Sequence, residues 1–123
     1  LVAMSPNNPA MLNGRCYERG LTKTNLDGAL ADCELSLKLR PKNGDTMDSK
    51  GLVLFQLGRY RDAIDAYDQA LKATPKLAPA LFVRGLAKQK LGDSAGGAAD
   101  IAAAKDIKED VLSLFHGSGI GEN

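Results

Sequence analysis

The stretch Leu71-Lys72-Ala73-Thr74-Pro75-Lys76 reproduces, one period later, the stretch Leu37-Lys38-Leu39-Arg40-Pro41-Lys42. Pro41 and Pro75 stand 34 residues apart (75 minus 41), and each closes a run that reads as helical. The same shift lays Ala29 on Ala63 and Leu37 on Leu71. Repeated once more, it lays Gly51-Leu52 on Gly85-Leu86, Leu57-Gly58 on Leu91-Gly92 and Ala70 on Ala104. A fixed period of this length marks a stack of like supersecondary units, none of which buries its apolar face alone. Three units follow, over about 10–43, 44–77 and 78–111.

Within a unit the periodicity is that of two helices. Asp62 to Lys72 sets Ala63, Ile64, Tyr67, Ala70 and Leu71 at spacings of three and four, one face of a helix, with Asp65, Asp68 and Gln69 elsewhere. Its predicted partner, Met47 to Leu57, carries Met47, Lys50, Gly51 and Leu54 on one face and stops at Gly58, a residue suited to the left-handed conformation beyond a helix end. Pro41, Pro75 and Pro79 mark the joints between pairs, since proline removes a donor and clashes with the preceding turn. In the third unit Gly96 and Gly97 fall inside the expected second helix, at about 1 kcal/mol each relative to alanine, which predicts a close helix approach there. Val111, Leu112, Leu114 and Phe115 predict a short capping helix over 110–116, because an end repeat needs its open face covered. The domain then spans 10–116. Residues 1–9 read as an irregular lead-in or a cloning remnant, and 117–123 as a flexible tail in which Ile120 is the side chain able to dock.

Composition narrows the function. The 123 residues, 44% hydrophobic and 25% charged, make one ordinary folded domain, and a net charge of +1 leaves no basic footprint for nucleic acid. No apolar run approaches the roughly 18 to 20 residues that cross a bilayer, so membrane insertion is not expected. Leu1 to Ala10 lacks the basic and apolar regions of an export signal. His116 stands alone, and with Cys16 and Cys33 it makes three potential zinc ligands where a structural site uses about four. A Cys–His nucleophile pair would lack an orienting third group. Asp62, Asp65 and Asp68, with Asp32 and Glu34 in the first unit, are expected to solvate a convex surface. No glycine pair is followed by the Gly-Lys-Ser or Gly-Lys-Thr of a phosphate loop. We therefore expect no catalytic residue, no metal and no cofactor, and a binding module in place of an enzyme.

The residues of the middle unit, Gly51, Leu54, Leu57-Gly58-Arg59-Tyr60, Ala63-Ile64, Tyr67, Ala70-Leu71 and Pro75, resemble the tetratricopeptide repeat. The third unit keeps Gly85, Leu91-Gly92, Ala98 and Ala104, with Glu109 where proline is usual. The first keeps Ala29, Leu37 and Pro41, with Tyr17 in place of a small residue and Cys33 in place of a large one. The resemblance implies an all-α, right-handed superhelix of about three stacked antiparallel helix pairs, its concave wall lined by the first helix of each unit. That projection turns inward Met11, Arg15, Glu18 and Leu21, then Asp48, Leu52, Phe55 and Gln56, then Phe82, Val83, Leu86 and Lys90. It implies a groove for a protein or peptide partner with Leu52, Phe55, Phe82 and Leu86 at its centre and Arg15, Glu18, Asp48 and Lys90 setting register. The alternatives are that these apolar residues pack as core between units, or that the groove is filled by the chain's own C-terminal segment. Gly14, Glu18, Ser49, Pro79 and Val83 stand where chaperone-binding members carry a carboxylate clamp, so chaperone tails do not fit as clients.

In a tetratricopeptide unit Cys16 and Cys33 lie on facing sides of the two helices, within reach of a bridge. Two reduced cysteines acting as small buried hydrophobes remain the alternative. More loosely, Leu30-Ala31-Asp32-Cys33, Asp48 to Val53, Arg84 to Lys88 and Gly96 to Ala104 are similar to tetratricopeptide domains of bacterial exported or envelope proteins, some of which follow a retropepsin-like aspartic protease. That likeness implies a longer bacterial protein in a periplasmic or exported location, with the cytoplasm as the alternative. It also leaves open a structural role, by self-association or by docking on an adjoining domain.

Overall fold

Side-chain oxygens start four helices. Asn8 accepts from the amides of Ala10 and Met11, Asn25 from Gly28, Asn43 from Asp45 and Thr46, and Asp93 from Gly96. Each satisfies donors that the first helical turn leaves without partners, worth about 1 kcal/mol per cap. The chain was analysed as a computed structural model that describes residues 8–121. Its helices are α1 (Pro9–Thr22), α2 (Leu26–Leu39), α3 (Gly44–Gln56), α4 (Tyr60–Ala73), α5 (Ala78–Lys90) and α6 (Ser94–Ile107), followed by a 3₁₀ turn, Val111–Phe115. No strand occurs among the described residues. The Asn43 cap is why α3 begins three residues before the expected Met47. Gly58 at φ +80° and Gly92 at +94° end α3 and α5 in the left-handed region, where a side chain would be strained.

The helices pack as three hairpins, α1 on α2, α3 on α4 and α5 on α6, and each hairpin stacks on the next through α3 and α5. The result is an all-α superhelical stack. Glycines set the closeness of the helices within a hairpin. A Cβ at Gly51 would stand 2.7 Å from Cζ of Tyr67, so the tyrosine ring lies directly on the α3 backbone. A Cβ at Gly85 would stand 2.7 Å from the carbonyl oxygen of Gly97, which is the close approach anticipated for α6. Among the described residues no helix is long and apolar enough to cross a membrane.

The larger apolar cluster runs from Leu52, Leu54 and Tyr67 through Leu81 and Phe82 to Val111, Phe115 and Ile120. The first unit has its own smaller cluster, Cys16, Ala29, Cys33 and Val53. There Cys16 and Cys33 face each other with Cα atoms 5.6 Å apart and their sulfurs within bonding distance. Beside them Asp32 is buried and accepts from Nε and Nη2 of Arg15, both at 2.7 Å, with Arg19 at 3.4 Å. Two units later Asp100 is buried in the same way, held by Arg84 at 2.8 Å and Lys88 at 3.0 Å. The expectation that Asp32 solvates the convex surface is thus corrected. Its helix position faces α1, and a guanidinium fork there makes burial of the charge tolerable.

The expected capping helix is the 3₁₀ turn, with Val111 and Phe115 buried and Leu112 and Leu114 exposed. The expected flexible tail behaves differently. Residues 117–121 pack back on the fold, and Ile120 is 2% exposed. Gly117, Gly119 and Gly121 all take positive φ, at +81°, +85° and +71°. The alternation turns Ser118 and Ile120, both buried, toward the same side. Glycine content signals flexibility in an isolated chain, and the same glycines permit this one turn-by-turn conformation. Of the expected lead-in, Asn8 is the cap of α1 and Pro9 its first residue. Residues 1–7 and 122–123 lie outside the described residues.

Candidate protein-binding face

α1, α3 and α5 lie side by side, and the expected groove residues fall on them. The structure separates these residues into three groups. Leu52, Phe55 and Phe82, at 1%, 9% and 4% exposure, are core and not open anchors, and Val83 is buried with them. Phe55 meets the edge of Tyr60 at 5.3 Å, and Phe82 stacks on Phe115 at 5.7 Å. Leu86 and Asp48 are half-buried, whereas Glu18 and Lys90 are exposed. Arg15 does not serve the groove, because its guanidinium is turned to Asp32 of α2. Met11 is exposed and Leu21 half-buried.

What covers the aromatic residues is the chain itself. Gln56 donates from Nε2 to the carbonyl of Gly20 at 3.1 Å and to that of Ser118 at 3.3 Å, tying α1, α3 and the 117–121 segment together. Ser118 Oγ donates to the Phe115 carbonyl at 2.6 Å and accepts from the Ile120 amide at 3.1 Å. Ile120 enters the cluster that includes Phe55, Phe82 and Phe115. Beside the segment an open cleft of about 530 Å³ remains, lined by Lys23, Phe55, Gln56, Tyr60, Leu86, Gln89, Lys90 and residues 119–121. Lys23 and Lys90 bring positive charge to it, and among the described residues no carboxylate lines it.

The segment is held marginally. Burying one isoleucine side chain is worth about 2 to 3 kcal/mol, and four hydrogen bonds add about 1 kcal/mol each. Fixing five backbone residues costs about 5 to 10 kcal/mol, with glycine, which has the most freedom to lose, at the upper end. The two sides balance to within a few kcal/mol.

Further along α3, Asp48 lies near Tyr17 of α1 and Tyr67 of α4. Burial, assisted by the nearby charge of Asp45, lifts its carboxyl from 3.8 to about 7. Burial and then the charge of Asp48 raise the Tyr17 phenol, and burial holds that of Tyr67 well above its ordinary value. Asp48 was expected as a rim charge, yet it behaves as a partly desolvated acid. Tyr17 is the cause that the repeat pattern points to, since a ring stands there where a small residue is usual. Among the described residues no group of three or more His, Cys, Asp or Glu side chains is placed to hold a metal. Two features of this face went unanticipated: the pairing of Arg84 with Asp100 across α5 and α6, and the link from Gln56 to Ser118. The 68-residue spacing of Asp32 and Asp100 (100 minus 32), two repeat periods, was the available signal for the first.

Comparison with known proteins agrees with this architecture. A family model described as "TPR repeat" matches residues 51–92. The "Small glutamine-rich tetratricopeptide repeat-containing protein 2" of Mycosarcoma maydis is 29% identical over 105 residues, covering 84% of this chain and 29% of its own length. The solved chain "MamA MSR-1 C2" superposes with a TM-score of 0.70 at 20% identity, covering 89% of this chain and 62% of the other, a likeness of fold. This chain therefore spans less than a third of the curated relative. With three stacked helix hairpins, a glycine beneath the central tyrosine and these matches, the chain is similar in sequence and in fold to tetratricopeptide repeat proteins.

Proposed function

We propose that this domain is a non-enzymatic interaction module that binds a short segment of a protein partner on the face built by α1, α3 and α5. The observation that supports this is the occupancy of that face by a short, turn-rich piece of polypeptide, residues 117–121, held through a backbone carbonyl by Gln56 and through one aliphatic side chain. A surface that holds one such segment has the shape and hydrogen-bonding groups for another. The open cleft between Tyr60, Leu86 and Lys90 gives the partner its entry. We further propose that the domain works in a periplasmic or exported setting as part of a longer bacterial protein, where the Cys16–Cys33 bridge persists. Affinity capture from a cell extract, with the wild-type chain beside Leu86→Glu, tests the binding face. A protein retained by the wild type and lost by the variant is expected; equal retention by both refutes it.

A structural role is favoured by one separate observation. Leu112 and Leu114, 42 and 38% exposed, stand close in sequence on the turn that caps the last unit. An adjoining domain or a second copy packed there would cover them. Sedimentation velocity across a hundredfold concentration range decides for self-association, which predicts a dimer that Leu112→Ser/Leu114→Ser returns to monomer.

A further inference from the structure

The inference below rests on the proposed binding face and concerns what that face recognises. We propose that residues 117–121 are a displaceable stand-in for the partner, and that the partner's segment inserts one aliphatic side chain into the seat now filled by Ile120.

Three observations carry this. First, beside the local turn bonds between Ser118 and Phe115, the segment is held by two contacts that do not depend on its being part of the same chain. Gln56 reads a main-chain carbonyl, which every polypeptide offers, and the seat of Ile120 is an apolar pocket in the cluster with Phe55, Phe82 and Phe115. Second, its own backbone is expensive to hold in place. Gly117, Gly119 and Gly121 all sit at positive φ, so the seat is filled by a chain with a large entropy to regain on release. A partner segment with fewer conformations to lose competes with it on favourable terms. Third, space is asymmetric around the seat. A Cβ at Gly121 would come within 2.8 Å of Leu112 Cδ1 and 3.3 Å of Phe82 Cζ, whereas at Gly119 nothing lies within 4 Å. The partner segment thus needs a small residue on the side of Gly121. On the side of Gly119 it has room for a side chain in the cleft that Leu86, Gln89 and Lys90 line.

The seated segment lowers the apparent affinity of any partner by the fraction of time the seat is open. Gly119→Ala separates that effect from damage to the fold, because its added methyl meets no atom and acts only through the positive φ. Ile120→Ser empties the seat directly. The probe is a fluorescein-labelled, C-terminally amidated peptide of sequence Gly-Ser-Gly-Ile-Gly, beside a control with serine in place of isoleucine. Both are titrated by anisotropy into the full chain and each variant, with helical circular dichroism of every sample.

We expect both variants to bind the isoleucine probe at least tenfold more tightly than the wild type, and the serine control to bind none of them. Equal affinity for wild type and variants overturns the proposal, as do equal binding of both probes and no binding by folded variants. Loss of helical signal in both variants overturns it too, since the segment would then be an integral part of the fold. Concentration-dependent dimers of the wild type that exchange this segment would make a second copy the occupant and overturn the choice of a separate partner. If the Leu86→Glu capture succeeds while the probe fails, the face binds its partner beside the segment, and this inference alone falls.

Discussion

Replacing Asp48 by asparagine should stabilise the domain, and by an amount that depends on pH. Burial first and the neighbouring charge of Asp45 second raise this carboxyl from 3.8 to about 7 in the folded chain. Below the unfolded value both states are protonated, and the group contributes nothing. As pH rises above 3.8 the unfolded chain releases the proton while the folded chain keeps it, so stability falls by about 1.4 kcal/mol per pH unit. The loss is complete once pH passes about 7, where it totals about 4 kcal/mol. An amide of nearly the same shape carries no charge and escapes this cost. Urea unfolding followed by helical circular dichroism should give nearly equal stabilities for wild type and Asp48→Asn at pH 4, and a variant more stable by up to about 4 kcal/mol at pH 8. The urea m-values should stay equal, since the surface exposed on unfolding is the same. A gap that does not change between pH 4 and pH 8 would refute the reasoning. So would a variant less stable than the wild type at pH 8, which would mean that the folded chain partners the carboxylate.

Three further outcomes follow from other contacts. A Cys16–Cys33 bridge would close a separation of 17 residues, so reduction, or Cys16→Ser/Cys33→Ser, should lower stability by about 3 kcal/mol; unchanged urea midpoints with and without reductant would show that no constraining bridge is present. Gly51→Ala should cost about 1 to 3 kcal/mol, because the new methyl would stand 2.7 Å from the Tyr67 ring, and a midpoint shift smaller than that of Gly14→Ala, where nothing lies within 4 Å, would contradict the packing. Burial pushes the Asp100 carboxyl upward, but hydrogen bonds from Arg84 and Lys88 outweigh it and hold it below 3.8. Its stabilisation is present above 3.8 and is lost as pH falls through the lower folded value, so Arg84→Ala should destabilise strongly at pH 6 and much less at pH 2, by the same urea assay.

The helical stack was legible because repeat packing is written in local, periodic terms. Gly51 and Ala70 recur one period on as Gly85 and Ala104, and Gly51 names a contact with Tyr67 within its own hairpin. The Asn43 cap shifted the start of α3 because a cap is set by one side chain that periodicity does not weigh. The binding face was legible only as a set of positions. Arg15 stands where an inward residue is expected, but Asp32 offers it a fork at 2.7 Å, and a charge-assisted pair outweighs a place in open solvent. That pairing depends on two helices at once. A projection of α1 alone cannot contain it.

The same distinction explains the 117–121 segment, where composition and structure part most sharply. A run with glycine at every second position has no propensity to fold by itself, and local rules assign it to solvent. Its order comes from the last hairpin, where Phe82 of α5 packs in one cluster with Phe115 and Ile120. Phe115 stacks on that ring, and Ser118 then turns the chain so that Ile120 follows it into the core. The need for cover was readable from the apolar residues Val111 and Phe115 that follow the third unit. How firmly the cover holds was not, because it depends on a near balance between one buried isoleucine, four hydrogen bonds and the freedom of three glycines. A cap so balanced closes the core and still yields its seat to a competing chain, which is why the same five residues serve the fold and the proposed recognition together.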